Sequence, residues 1–332
     1  IREDGARPLE GRILLVAGGS GSGKTFGLTQ YKEAFPRIAR EDIEAGKFGL
    51  DDLPEHARSR IEISDYWPVL FAEANKSTTN RGLAATLYEA YGYTAPARWP
   101  MPVLLQKLKK QVSECSTEMI IVDEGHHLIN HAKEDITEAD VDFVKSISNQ
   151  LHVQLIFSGL PRILDLGDAM QMHRRKEPDF VLEPYHWKDE HGIFENIVLG
   201  FTQNMHLAGA SSNASPDLVT RLYVASHGYV GLLSKQMSAA LRRAIERGLP
   251  SVPMLLHAEV YHDFLPHKAS GPMRLSNWQR EEDVRIAAED RARNPFLADD
   301  ARVAAMIDAL DKSAFAFLDE TACRRTGSTK TG

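Results

Sequence analysis

The chain of 332 residues is long enough for one large domain or two ordinary ones, and its 43% hydrophobic and 26% charged residues are ordinary for a soluble globular protein. A net charge of −7 argues against a surface coated in nucleic acid, although it leaves room for a local basic patch. No apolar run approaches the roughly 20 residues of a membrane span, and the two cysteines lack the spacing of a disulfide framework or a zinc site. We therefore expect a cytoplasmic protein with no membrane partner.

A glycine-rich loop stands between the first two predicted elements. Residues 12–17 form a short apolar run, as expected of a buried parallel strand, and a helix is predicted over residues 25–35, before Pro36. The loop fits the pattern G-x-x-x-x-G-K-[ST] at every fixed position. Its residues are Gly18, Gly19, Ser20, Gly21, Ser22, Gly23, Lys24 and Thr25.

This loop predicts a bound nucleoside triphosphate. Successive backbone N–H groups of a glycine-rich turn converge on a phosphate, and the N-terminus of the following helix adds its positive end. Lys24 is expected to contact the β- and γ-phosphates, and the Thr25 hydroxyl is expected to hold Mg²⁺. With Phe26, which follows directly, the loop forms the predicted nucleotide-binding segment, and a nucleoside triphosphate and Mg²⁺ are its predicted ligands.

Strands and helices then alternate along the chain, which predicts a parallel sheet flanked by helices. The further strands are predicted at 69–74, 119–122, 153–157 and 179–182, and the helices at 82–93, 102–114 and 135–151.

From about residue 190 only helices are predicted, most clearly at 216–225 and 229–247. The apolar residues of a last helix, between Val303 and Leu318, recur at helical spacing and are expected to pack on the body of the protein or on a neighbouring subunit. We therefore expect three regions: a nucleotide-binding α/β core at 1–190, a helical region at 191–265, and a linker, C-terminal helices and disordered tail at 266–332.

Two carboxylates follow the strand at 119–122. An apolar strand that ends in Asp123-Glu124, downstream of a phosphate loop, is the Walker B arrangement, which carries both carboxylates to the carboxyl edge of the sheet. Asp123 is predicted in the Mg²⁺ shell, and Glu124 is predicted to polarise the water that attacks the γ-phosphate. The histidines that follow, His126, His127 and His131, are expected to be structural. The adjacent His126 and His127 would point in different directions on a helix. His127 and His131 are four residues apart, a spacing compatible with a metal, but no third ligand follows at a useful spacing.

Basic residues are concentrated between positions 76 and 110, a segment with six lysines and arginines and only one glutamate. Such a local excess is what contact with a phosphate backbone requires. A polar loop after the second strand begins at Lys76 and ends at Arg81. These two basic residues are the predicted DNA-binding residues. The three lysines at positions 107, 109 and 110 are better interpreted as a solvated helix face.

Three segments together resemble the TniB/TnsC group of transposition AAA+ ATPases. They are the phosphate loop, the segment Ile-Ile-Val-Asp-Glu-Gly-His-His-Leu at 120–128, and the segment at 147–161 that includes the fourth strand and ends in Gly-Leu-Pro. The resemblance covers roughly residues 10–260. It implies an AAA+ phosphate-loop fold followed by an α-helical lid, and an ATPase that regulates DNA transposition. The implied partners are double-stranded target DNA, further copies of the chain in a ring or filament, a DDE-type transposase and a target-selection protein.

The resemblance also implies roles for residues outside the phosphate loop and the Walker B segment. In AAA+ proteins a polar residue at the end of the fourth strand senses the γ-phosphate, and Ser158 occupies that place. An arginine finger from the adjacent subunit commonly precedes the fifth strand, where Arg174 and Arg175 are the candidates and Arg162 is a weaker one. A lid helix commonly supplies a sensor arginine, for which this sequence offers only Lys235.

Other functions compete with this one. A different AAA+ machine could carry the same motifs, either a secretion-associated ATPase of the ExeA type, which usually adds a membrane span, or an initiator- or loader-like protein, which usually adds a winged-helix domain. A slow-hydrolysing, nucleotide-switched scaffold is a further alternative, although the presence of Glu124 argues against an inactive ATPase.

Overall fold

The computed structural model describes residues 11–58, 61, 64–75, 79–128, 138–168, 177–205, 215–264 and 293–312. The chain divides into two compact units, Ile1–Leu182 and Glu183–Gly332. The first unit contains strands β1 (Ile13–Gly18), β2 (Val69–Glu73), β3 (Met119–Asp123), β4 (Gln154–Gly159) and β5 (Phe180–Leu182). Its helices are α1 (Lys24–Glu33), α2 (Arg40–Glu44), α3 (Glu55–Arg58), α4 (Asn80–Glu89), α5 (Met101–Glu114), α6 (Glu138–Leu151) and α7 (Asp165–Asp168).

The second unit is helical in its described part. It contains α8 (Trp187–Gln203), α9 (Pro216–Ser226), α10 (Val230–Glu246) and α11 (Met254–Phe264), and a further helical stretch at 300–312. None of the helices that the structure describes is both long enough and apolar enough to cross a membrane.

The five strands of the first unit form one parallel sheet in the order β2-β3-β4-β1-β5. Because parallel strands end at the same edge, the loop after β1 and the carboxylates after β3 are brought to one side of the sheet. Strand β4 lies between β1 and β3, with Ser158 in register with Val16. The order therefore places the end of β4 between the phosphate loop and the Walker B carboxylates.

The strands are apolar on both faces because helices cover both. Leu15 and Ile120 belong to the larger core, which includes buried side chains of α4, α5 and α6. One position further along each strand, Val16 and Ile121 belong to a second core on the opposite face, against which Leu28 of α1 packs. This two-sided burial explains why β1 and β3 are near-continuous apolar runs in the sequence.

The predicted α/β architecture is confirmed, but the division between units differs from the predicted one at residue 190. The first unit ends at Leu182, because α8 begins at Trp187 and buries Phe194 and Val198 in the core of the second unit.

The C-terminal stripe also belongs to the second unit. Val303 and Ile307 are buried in its core. The predicted linker at 266–280 and the apolar positions beyond residue 312 lie outside the described residues.

Arg221 of α9 connects this helix to the segment at 295–300. Its side chain is only 10% exposed. Nη1 donates to the carbonyl oxygens of Pro295 and Ala298 at 2.6 and 2.7 Å, and Nη2 donates to Asp300 Oδ1 at 2.9 Å. Nε donates to Asp217 Oδ1 at 2.7 Å. One buried guanidinium therefore satisfies acceptors from two separate parts of the second unit.

Replacing Arg221 by Ala is expected to lower the free energy of unfolding by about 3 kcal/mol, because it leaves buried carbonyl groups without donors. Urea denaturation followed by circular dichroism measures this loss. The matched control is Arg242→Ala, which removes an exposed arginine from α10 and should cost less than about 0.5 kcal/mol. Equal effects of the two substitutions would contradict the assigned role.

Candidate active site

The glycine-rich loop joins β1 to α1 through a backbone shape that glycine adopts most easily. Gly21 has a φ of 84° and Gly23 a φ of 94°, both in the left-handed region. At Gly18, an added Cβ would come within 2.6 Å of Ser22 Oγ and 2.8 Å of the Leu182 carbonyl oxygen. The glycines therefore allow the loop to turn tightly between the strand and the helix.

Lys24 is 8% exposed, and its ammonium group is folded back onto this loop. Nζ donates to the carbonyl oxygens of Gly18 and Gly19, at 2.9 Å each. Burial lowers the pKa of Lys24, while the charges of Glu124 and Asp123 act in the opposite direction. The ammonium group is thus placed to exchange two carbonyl oxygens for charged phosphate oxygens, which are stronger acceptors.

Thr25 connects the loop to the end of β3. Its Oγ1 donates to Asp123 Oδ2 at 2.6 Å, and Asp123 Oδ1 accepts the backbone N–H of Glu124 at 2.9 Å. Asp123 is 2% exposed. A hydroxyl oxygen and a carboxylate oxygen therefore lie together at the loop, and Mg²⁺ prefers oxygen ligands of this kind. The donor set that the residues provide fits the predicted cation.

Glu124 has a φ of 53°, which is uncommon for a residue other than glycine. Backbone strain of this kind is concentrated at functional sites. The turn removes Glu124 from the strand, so its side chain is 38% exposed, whereas that of Asp123 stays buried. The two adjacent carboxylates therefore have different environments, as different chemical roles require.

Ser158 lies near the end of β4, between the strands that carry the two motifs. It is fully buried, and its Oγ has no hydrogen-bond partner among the described residues. A buried hydroxyl that lacks a partner costs free energy unless water or a ligand completes it. Its placement is what a γ-phosphate sensor requires, and that role stays a prediction.

The expectation that His126 and His127 point in different directions is wrong. They lie in a 3₁₀ turn, Gly125–Leu128, rather than in an α-helix, and their ring centroids are 4.1 Å apart. Together with Glu124 they place one potential metal-ligand atom each within 4.8 Å of one another. Their predicted structural role remains untested, and His131 lies outside the described residues.

Arg81 is engaged within its own chain, and its role in DNA binding stays a prediction. Its Nε donates to the Trp99 carbonyl oxygen at 3.0 Å, and Nη2 donates to those of Pro96 and Ala97 at 3.0 and 2.8 Å. Two of its three guanidinium nitrogens are therefore engaged by one loop of the same chain. Arg81 fastens α4 to the loop before α5.

Arg162, the weaker arginine-finger candidate, is also engaged within its own subunit. Its Nη2 donates to the His126 carbonyl oxygen at 2.8 Å. This contact ties it to the turn after β3 and argues against a reach into a neighbouring subunit. Sequence reasoning missed this contact, because it depends on which strand ends become neighbours in the sheet.

The other predicted site residues stay predictions. Phe26 lies on α1 with 72% of its surface exposed. Lys235 lies on α10 in the second unit and has an exposed side chain. Three candidates lie outside the described residues: Lys76, Arg174 and Arg175.

Comparisons with known proteins agree with this geometry. Residues 9–166 match the AAA domain family AAA_22. No curated protein matches the sequence. Cdc6p from Pyrobaculum aerophilum has a similar structure, with a TM-score of 0.53 and 12% identity over 77% of this chain and 62% of that one. The Aeropyrum pernix ORC1 protein, solved in complex with DNA, has a TM-score of 0.50 and 17% identity over 91% of this chain and 77% of that one. The chain thus spans less than two thirds of the length of Cdc6p.

The fold and the site define an AAA+ ATPase. A five-stranded parallel sheet flanked by helices carries a phosphate loop after β1 and an acidic pair after β3, and further helices follow toward the C-terminus. The predicted fold class, ATPase activity and nucleotide binding are confirmed at this level. The comparisons do not show that the chain belongs to the finer TniB/TnsC group.

Replacing Arg81 by Ala is expected to reduce stability rather than DNA affinity. It leaves three carbonyl groups without their donor, for a loss of about 2 kcal/mol in the free energy of unfolding. The control is Arg98→Ala, which removes an equal charge from an exposed position of the same loop. At a temperature where both variants are folded, their affinities for duplex DNA should be equal. A selective loss of DNA affinity in the Arg81 variant, with unchanged stability, would contradict this expectation and support a DNA-binding role.

Proposed function

We propose that this ATPase couples its nucleotide state to assembly on double-stranded DNA. The observation that carries the ATPase mechanism is the 2.6 Å contact between Thr25 Oγ1 and Asp123 Oδ2, which joins the loop that holds Lys24 to the strand that ends before Glu124. The excess of basic residues between positions 76 and 110 supports DNA as the partner.

In the proposed mechanism, the chain's own residues hold the phosphates and direct the attacking water. Lys24 leaves the loop carbonyl groups and contacts the β- and γ-phosphates. Thr25 and Asp123 would hold Mg²⁺, which would neutralise charge on the phosphate oxygens. Glu124 accepts a proton from the attacking water, and Ser158 donates its hydroxyl hydrogen to a γ-phosphate oxygen.

A second copy of the chain completes the proposed site. Arg174 or Arg175 of the neighbouring subunit stabilises charge on the transferred phosphoryl group, so ATP is held between subunits. Nucleotide can control DNA binding in this way only if the ATP and ADP states differ in their affinity for DNA. We propose that ATP favours the assembled, DNA-bound state and that hydrolysis allows its release.

Two DNA processes could use such an ATPase. An initiator- or loader-like role is supported by the fold similarity to Cdc6p and to ORC1, the latter solved in complex with DNA. Regulation of transposition, with a DDE-type transposase as partner, is supported by the sequence resemblance at 120–128 and 147–161. We place the initiator- or loader-like role first, because an observation on the folded chain supports it. Both roles agree with the predicted cytoplasmic location.

ATP hydrolysis is expected to increase when duplex DNA is added at low salt. The stimulation should fall as salt rises, because contacts with phosphates release bound counterions. Phosphate release measured across a salt series tests this expectation.

The matched control is Glu124→Gln, which keeps the shape of the side chain but should slow turnover about 100-fold. DNA-indifferent hydrolysis would contradict the DNA partner. Rapid turnover by the glutamine variant would contradict the assigned base.

Electron microscopy with ATP on duplexes of increasing length separates the two processes. An initiator- or loader-like protein should form particles of fixed size. A transposition regulator of the kind described should form assemblies that lengthen with the DNA, since it binds without strong sequence preference. Neither kind of DNA-bound particle should form with the nucleotide omitted.

A further inference from the structure

The Glu124 carboxylate has a close partner that the mechanism above does not use. Its Oε2 lies 3.2 Å from Nδ1 of His126. The His126 side chain is 5% exposed and that of Glu124 is 38% exposed. A partly exposed carboxylate is therefore in contact with a buried imidazole.

The imidazole is held against the end of β4. The backbone N–H of Leu160 lies 3.4 Å from Nδ1, and Arg162 donates to the His126 carbonyl oxygen at 2.8 Å. A Cβ at Gly159 would lie 3.0 Å from both the backbone nitrogen and Nδ1 of His126. The absence of a side chain at Gly159 thus makes room for the ring beside the strand that carries Ser158.

Nδ1 of His126 cannot serve both polar neighbours at the same time. With a free lone pair it accepts the Leu160 N–H, whereas as an N–H group it would donate to the Glu124 carboxylate. The contact with Glu124 is the shorter one, and hydrogen bonds to a carboxylate are the stronger kind. A hydrogen on Nδ1 would therefore give the stronger of the two hydrogen bonds.

Glu124 also faces the phosphate loop. Its charge raises the pKa of Lys24 more than the charge of Asp123 does. The carboxylate therefore lies near the ammonium group that the loop presents to phosphates, while His126 contacts it from the protein side.

We propose that His126 is a positioning residue for ATP hydrolysis: its Nδ1–H holds the Glu124 carboxylate in the orientation from which it activates water. The proposal rests on the proposed function, in which Glu124 is the base. His126 acts only through Glu124. Because the ring packs on the end of β4, it also links the orientation of the base to the strand that carries Ser158.

The test compares substitutions of His126 that keep or lose a donor at the Nδ1 position. In His126→Asn the amide nitrogen replaces Nδ1, whereas in His126→Gln it reaches toward the place of Nε2. His126→Ala should lower kcat about tenfold, with the KM for ATP and the affinity for a fluorescent ATP analogue within about twofold of the wild type. The asparagine variant should recover most of the rate, and the glutamine variant should not.

A double-mutant cycle separates this proposal from the one on which it rests. In a Glu124→Gln background, His126→Ala should cause no further loss of rate, since no base remains to be positioned. A fast Glu124→Gln enzyme would overturn the proposed function. A slow Glu124→Gln enzyme together with a fast His126→Ala enzyme would overturn only the role of His126.

A merely structural role for His126 predicts a different pattern. All three substitutions would then lower nucleotide affinity and melting temperature together with kcat, and asparagine would give no selective rescue. That result would also overturn the proposal. If His126→Ala does not fold, the comparison of asparagine with glutamine decides the question.

Discussion

The hydrogen bond from Thr25 Oγ1 to Asp123 Oδ2 is the contact on which the candidate site depends. It joins a loop after the first strand to a carboxylate at the end of the third, and these lie far apart in sequence. The bond can form because β1 and β3 flank β4 in one parallel sheet, with all carboxyl ends at one edge. A slip of one residue in either strand would turn Asp123 away from the loop. The contact between Thr25 and Asp123 therefore depends on the register of the sheet.

Much of this arrangement could be predicted from the sequence, for physical reasons. A loop that holds phosphates needs glycines at positive φ, and Gly21 and Gly23 meet that need. Strands covered on both faces must be apolar throughout, so the apolar runs in the sequence predict β1 and β3. The placement of Asp123 and Glu124 beside the loop is then predicted as well, because the residues that end parallel strands lie at the same edge of the sheet.

The remaining contacts could not be predicted, because their partners come from distant segments. A guanidinium group is equally suited to a phosphate and to carbonyl oxygens, so nothing local revealed that Arg81 binds the loop at 96–99. The place of His126 likewise depends on distant parts of the chain, because its orientation depends on a 3₁₀ turn and on Gly159 of another strand. The boundary near residue 182 likewise depends on which core receives α8.

The central claim is that Thr25 and Asp123 form one cation-binding unit with the phosphate loop. Calorimetric titration of ATP, with and without Mg²⁺, tests it in the wild type and in the matched pair Thr25→Ser and Thr25→Val. The wild type and the serine variant should bind ATP about tenfold more tightly when Mg²⁺ is present, a difference of about 1.4 kcal/mol. The valine variant keeps the shape but lacks the hydroxyl, so it should bind free ATP normally and gain nothing from Mg²⁺. Full enhancement by Mg²⁺ in the valine variant would contradict the claim.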